Sequence, residues 1–302
     1  MPSSHPRLHG IWLPLVSPFL GGELDESSFR RLVRHYSGRV DGFVLGATTG
    51  EGMALSHEEL RLTMQWTREE LDAARETTPI LLGISGAITS AAVAALQATE
   101  RWPVDGFLVT CPYYVRPSQE GLRQHFEAIA DSTDKAIVVY NIPYRTGVNL
   151  ENDTLLRVAE RTNIVGVKDC CANPAQTRDL IERRPTGFSV LAGEDASLDV
   201  SFRDGAEGGI VASAHFNPEG FRQFRALVAQ GRRDDADALW SDLAPLTVLL
   251  FSEPNPAPLK HCLWRMGLIA SPELRLPMTP VSSQLAVRLD AASARFGALK
   301  TV

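Results

Sequence analysis

Eight short apolar runs occur before residue 231, each followed by a stretch whose apolar positions recur every three or four residues. The runs are GIWLPLVSP (10–18), GFVLGAT (42–48), PILLGIS (79–85), GFLVTC (106–111), AIVVYNIP (136–143), IVGVKDC (164–170), FSVLAGED (188–195) and GGIVASA (208–214). They are continuously apolar rather than alternating, which is the pattern of strands buried on both faces of a parallel sheet. The stretches between them read as helices. SHEELRLTMQWTREELDAAR and SQEGLRQHFEAIADST each open on a serine that can cap the first turn, with a glutamate shortly after it.

Eight strand–helix repeats in about 230 residues predict a (β/α)8 TIM barrel over residues 1–231. The rival is an open doubly wound sheet, which should carry a glycine-rich phosphate loop after its first strand. WLPLVSPFLGGELD contains no GxGxxG. Past residue 231 the strand signals stop, and residues 232–302 predict a C-terminal helical extension whose helices are separated by the proline-rich turns SEPNPAP and LRLPMTP.

Composition narrows the ligand. With 44% hydrophobic and 22% charged residues the chain is of the soluble globular type. A net charge of −6 without runs of like charge argues against nucleic acid or an anionic membrane as partner, leaving small molecules. Cys111, Cys170, Cys171 and Cys262 show no CxxC spacing, so neither a disulfide framework nor a zinc site is expected. No run reaches the roughly 18 apolar residues of a membrane span, and MPSSHPRLHG lacks the apolar core of a signal peptide. A cytoplasmic protein is the expectation.

In such barrels the reactive groups gather at the C-terminal ends of the strands. Those ends collect Thr48, Thr49 and Glu51, Tyr113 and Tyr114, Tyr140 and Arg145, Lys168, and Gly193 to Asp195. Lys168 stands out because only four of the 30 Lys and Arg residues are lysine, and this one ends the apolar run NIVGVKD. Desolvation there disfavours the ammonium form, and a neutral amine can condense with a ketone to an imine, an electron sink for carbon–carbon bond chemistry. The alternative is a lysine paired with Asp169 or another carboxylate. Tyr140 ends the preceding strand and should face the same pocket, where its hydroxyl can relay protons, although a lone strand tyrosine is commonly packing. Arg145 could grip a carboxylate bidentately, or simply face solvent.

GATTGEG, PYYVRPSQEGL, YNIPYRTGV, GVKD, AGEDA, FSEPNPAPLK and LRLPMTP together resemble the dihydrodipicolinate synthase family, of the pyruvate-dependent class I aldolases, over residues 8 to 283. The resemblance implies that Lys168 forms a Schiff base with pyruvate and that Tyr140, Thr48 and Tyr114 relay protons, Tyr114 reaching into a neighbouring subunit's site. It implies that Thr49 holds the pyruvate carboxylate, that Arg145 receives the carboxylate of L-aspartate 4-semialdehyde, and that Gly193 and Ile210 contribute carbonyls near the lysine. The product is then 4-hydroxytetrahydrodipicolinate, made without metal by a homotetramer built as a dimer of dimers. Two other readings compete with that one. The same imine chemistry could act on another aldehyde or a 2-keto-3-deoxy sugar acid, which Arg145 disfavours, or the chain could be a non-catalytic keto-acid binder.

Three local departures accompany the resemblance. Ala47 stands where the family usually has glycine, CCANP replaces a small polar run, and Gly52, Met53, Ile88 and Ala92 occupy places where lysine-sensitive relatives carry polar partners. Weak or absent inhibition by free lysine is therefore expected, even though His57 and Tyr113 remain.

Overall fold

The computed structural model describes residues 8–297. Its strands are β1 (Gly10–Pro14), β2 (Gly42–Leu45), β3 (Ile80–Ile84), β4 (Gly106–Thr110), β5 (Ala136–Asn141), β6 (Ile164–Asp169), β7 (Ser189–Ala192) and β8 (Gly208–Ile210). Each falls inside one of the eight apolar runs. They form a closed barrel in which every strand neighbours the next in sequence and β8 pairs with β1, and a helix follows each strand. This is the TIM barrel the pattern predicts. Three helices complete the chain, Arg233–Leu250, Ala257–Arg265 and Ser283–Gly297.

Local chemistry explains the boundaries. The helix His57–Ala74 starts in a capping box, where the Ser56 hydroxyl accepts from the Glu59 N–H while the Glu59 carboxylate accepts from the Ser56 N–H. Ser118 caps Gln119–Ala130 by accepting from the Gly121 N–H. Between β1 and its helix, the antiparallel pair Phe19–Leu20 and Glu23–Leu24 turns through Gly21 and Gly22.

The chain divides into two compact units. The first runs to Trp12 and from Pro79 to Val211, and the second takes Leu13–Thr78 with the segment from Ala212 onward. In the first unit every residue of β5 and β6 is buried, and Phe107, Val138, Val139 and Phe126 are fully enclosed. Each such side chain contributes about 1.5–3 kcal/mol by leaving water. In the second unit Phe29, Leu32, Val33 and Phe43 form a core with Phe221, Phe224 and Leu243, all at most 1% exposed. The Tyr36 hydroxyl within it donates to the His215 carbonyl.

Two buried histidines make folding sensitive to mild acid. Burial drives His125 in the first unit and His215 in the second down to about 4, from an ordinary value of 6.5. The His125 Nδ1 meets the Thr89 hydroxyl at 3.0 Å and the His215 Nδ1 meets the Ala212 carbonyl at 2.8 Å, while neither Nε2 has a partner. The unfolded chain binds protons that the folded chain refuses, so stability is lost as pH falls from about 6.5 toward about 4. We expect each ring to account for about 2 kcal/mol between pH 7.5 and pH 5, above the range in which carboxylates titrate. Urea midpoints that stay level over that interval would contradict it.

Candidate active site

The site grows out of the two-residue period of β5 and β6. Tyr140 sits opposite Lys168, and Asn141 opposite Asp169, so the first pair shares one face of the sheet and the second the other. Lys168 is 6% exposed, with its Nζ 4.4 Å from the centroid of the Tyr140 ring. The nitrogen thus lies against an aromatic face. The alternative of a Lys168–Asp169 pair does not arise. The Asp169 carboxylate accepts from the Thr177 hydroxyl at 2.6 Å and the Cys171 N–H at 3.1 Å, and among the described residues Lys168 takes part in no ion pair.

Gly193, just past β7, leaves room for the lysine to lie there. A Cβ at this position would stand 2.9 Å from both Cγ and Cε of Lys168 and 2.3 Å from the Cys170 sulfur. Glycine is therefore required beneath the amine by close approach rather than by a turn. Ile210, the last residue of β8, is 1% exposed and pairs with Trp12.

Asn141, whose side chain turns away from the lysine, organises the following loop. Its amide donates to Asn149 Oδ1 at 2.9 Å, and its carbonyl accepts from the Leu150 N–H at 3.0 Å. The loop contains the one-turn helix Pro143–Thr146, begun by Pro143 and ended by Gly147, which carries Arg145. The Arg145 guanidinium carbon lies 5.6 Å from the Tyr144 ring centroid. Tyr114 is 88% exposed, with a left-handed backbone, and its N–H donates to the Thr146 carbonyl at 3.1 Å, which ties its loop to the arginine's.

Cys170 and Glu194 lie beside the lysine. The Cys170 thiol is fully buried and held well above its ordinary value by burial, so it is not a thiolate nucleophile. Burial also raises the Glu194 carboxyl, against the pull of the Cys170 thiol, the Lys168 charge and the Tyr144 hydroxyl, and one of its oxygens is buried without a partner. Burial and Glu194 together push Tyr144 up to about 12. Glu194 is among the strand-end residues Gly193 to Asp195, while only closeness in sequence, Cys170 two residues past Lys168 and Tyr144 next to Arg145, could have pointed to the other two.

The remaining predicted residues lie in the second unit, on the turn after β2. Thr49 is 4% exposed, its hydroxyl accepting from Asn255 Nδ2 at 3.0 Å, while the Thr48 carbonyl accepts from the Glu51 N–H at 3.1 Å. The left-handed positions of this turn are Gly46 (φ 64°) and Glu51 (φ 50°), not Ala47. An alanine is accommodated at position 47 for that reason. Met53 and Ile88 are 69% and 58% exposed.

The profile of the Dihydrodipicolinate synthetase family matches residues 7–294. The chain belongs to that family. It is 43% identical over 287 residues to the 4-hydroxy-tetrahydrodipicolinate synthase 2 of Clostridium acetobutylicum, an alignment covering 94% of this chain and 99% of that protein. A solved monomeric dihydrodipicolinate synthase variant superposes with a TM-score of 0.91 at 32% identity, over 96% of this chain and 97% of that one. The 4-hydroxy-tetrahydrodipicolinate synthase of Methylacidiphilum fumariolicum SolV superposes with a TM-score of 0.91 at 35% identity, over 96% of both chains. Among the described residues no helix is long and apolar enough to cross a membrane.

Proposed function

We propose that this chain condenses pyruvate with L-aspartate 4-semialdehyde through an imine on Lys168, giving 4-hydroxytetrahydrodipicolinate. The observation that carries the reading is a buried primary amine laid on the face of Tyr140 and, among the described residues, in no ion pair. The amine attacks the ketone carbon of pyruvate, and loss of water leaves the iminium. Loss of a methyl proton from the iminium gives an enamine, whose carbon attacks the aldehyde carbon; the aldehyde oxygen takes up the electron pair and a proton while the nitrogen lone pair re-forms the iminium, and the semialdehyde's own amine then adds to the iminium carbon and displaces the Lys168 amine, closing the ring. Tyr140, Thr48 and Tyr114 move the protons, and Thr49 anchors the pyruvate carboxylate, with the Gly193 and Ile210 carbonyls beside the nitrogen. The exposure of Tyr114 suits a residue that acts in the site of another subunit, in keeping with the homotetramer that the family resemblance implies, and we place the enzyme in the cytoplasm. Residues 1–231 serve as its barrel and 232–302 as a helical extension.

Arg145 receives the carboxylate of the aldehyde, its guanidinium stacked on Tyr144 and so held ready for a bidentate contact. The experiment that tests the substrate assignment is a steady-state comparison of aldehydes with the wild type and Arg145→Ala. The variant should raise the KM for aspartate semialdehyde by about a hundredfold, roughly the 2–5 kcal/mol of a charge contact, and leave the KM for pyruvate within about twofold. Equal losses for both substrates, or a wild-type preference for an aldehyde without an acid group, would remove Arg145 from that role.

A further inference from the structure

The FSEPNPAPLK segment marks the family resemblance, yet none of its residues has a part in the chemistry above. In the second unit it returns to the turn that carries the paired threonines. Asn255 is 6% exposed and gives its Nδ2 hydrogen to the Thr49 hydroxyl at 3.0 Å, a buried contact 206 residues apart in sequence. Lys260, on the next helix, is fully buried, and donates to the Ser17 carbonyl at 2.8 Å and to Glu51 Oε1 at 2.7 Å. The Ser17 hydroxyl in turn donates to the Gly50 carbonyl at 2.7 Å. The turn from Thr49 to Glu51 is therefore held at each residue, at the Thr49 side chain, the Gly50 carbonyl and the Glu51 carboxylate.

The direction of the first of these bonds matters. A hydroxyl has one hydrogen to give and can also accept. Because an amide N–H points at the Thr49 oxygen, that oxygen accepts, and the hydroxyl's own hydrogen remains for another acceptor. An incoming carboxylate has only acceptors. We propose that Asn255 is a positioning residue for pyruvate: its amide fills the accepting side of the Thr49 hydroxyl and so directs the hydroxyl hydrogen to the substrate carboxylate, while Lys260, through Ser17 and Glu51, keeps the turn in place. This rests on the reading that Thr49 binds the pyruvate carboxylate.

The test measures how much pyruvate is needed for half-maximal borohydride trapping on Lys168, beside the KM for the aldehyde, in Asn255→Ala, Asn255→Asp, Thr49→Val, Thr49→Ser and the double variants. Asn255→Ala should raise the pyruvate requirement on the order of tenfold with the aldehyde KM unchanged. Asn255→Asp keeps the size of the side chain but offers acceptors, so it should take the Thr49 hydrogen and cost at least as much; it also supplies the readout if the alanine variant fails to fold. The Asn255→Ala effect should persist in Thr49→Ser and vanish in Thr49→Val, where no hydroxyl remains to be directed. An undiminished Asn255→Ala effect in Thr49→Val, or a general loss of both substrates, overturns the positioning role. If Thr49→Val weakens pyruvate but Asn255→Ala and Asn255→Asp do not, this inference fails and the Thr49 reading stands. If Thr49→Val itself leaves pyruvate unaffected, the Thr49 reading fails and the inference with it.

Discussion

Borohydride added with pyruvate should leave one reduced three-carbon unit per chain, on the peptide that contains Lys168, and Lys168→Ala should lower turnover by a factor on the order of a thousand or more. The expectation follows from how each described lysine is engaged. Lys135 donates its ammonium hydrogen to the Trp102 carbonyl at 2.8 Å and lies over the Phe107 ring. Lys260 is enclosed, donating to Ser17 and Glu51 and resting 4.3 Å from the Phe19 ring centroid. An amine tied by its hydrogens to fixed carbonyl or carboxylate oxygens is not free to approach a carbonyl carbon. Lys168 lies against the Tyr140 ring with no hydrogen bond or ion pair to its nitrogen among the described residues, and Gly193 leaves space beneath it. Lys300 lies outside the described residues. Mass mapping that found the label on Lys135, Lys260 or Lys300, or a Lys168→Ala variant trapped as efficiently as wild type, would exclude the imine mechanism.

The second large effect concerns stability. Lys260→Met should cost about 3–5 kcal/mol of unfolding free energy, because it strands a carboxylate that was buried to meet it. Glu51 is 6% exposed, its Oε1 takes a Lys260 hydrogen at 2.7 Å, and its Oε2 has no partner at all. Burial already pushes the Glu51 carboxyl up, and Lys260 is the main force pulling it back. Without that cation the carboxyl must either stay charged in an apolar setting or take up a proton, and each is unfavourable. The companion variant separates charge from packing. Glu51→Leu with Lys260→Met should recover much of the loss, since replacing both members of a buried pair is often close to neutral. Chemical denaturation of the four proteins of this cycle measures it, and a Lys260→Met variant as stable as wild type would show that the pair is not what closes this region.

The fold was legible along the chain because its signals are short-range. A strand buried on both faces must be apolar at every position, and each of the eight runs became a strand of the barrel. The Ser56 and Ser118 caps act across three residues, so composition marks them. Lys168 and Tyr140 were readable as a facing pair for a similar reason: adjacent parallel strands in a barrel, each ending at its polar residue, bring those ends together.

What only the tertiary structure decided involves contacts between residues far apart in sequence, or a vacant volume that no residue type announces. Asp169 stood next to Lys168 and looked like its counter-ion, but the strand's alternation turns it to the opposite face, toward Thr177. Glu194 comes near the lysine because β6 and β7 are neighbours, and Gly193 leaves room there for the Lys168 and Cys170 side chains. Glu51 was readable as a strand-end residue and Asn255 as part of a proline-rich turn, yet nothing in the sequence shows that each is buried against a partner more than 200 positions away. Periodicity reports which face a residue takes on its own element; which side chain waits on the other side is settled only when the elements pack, since a buried polar group is held by the one partner that packing places within reach.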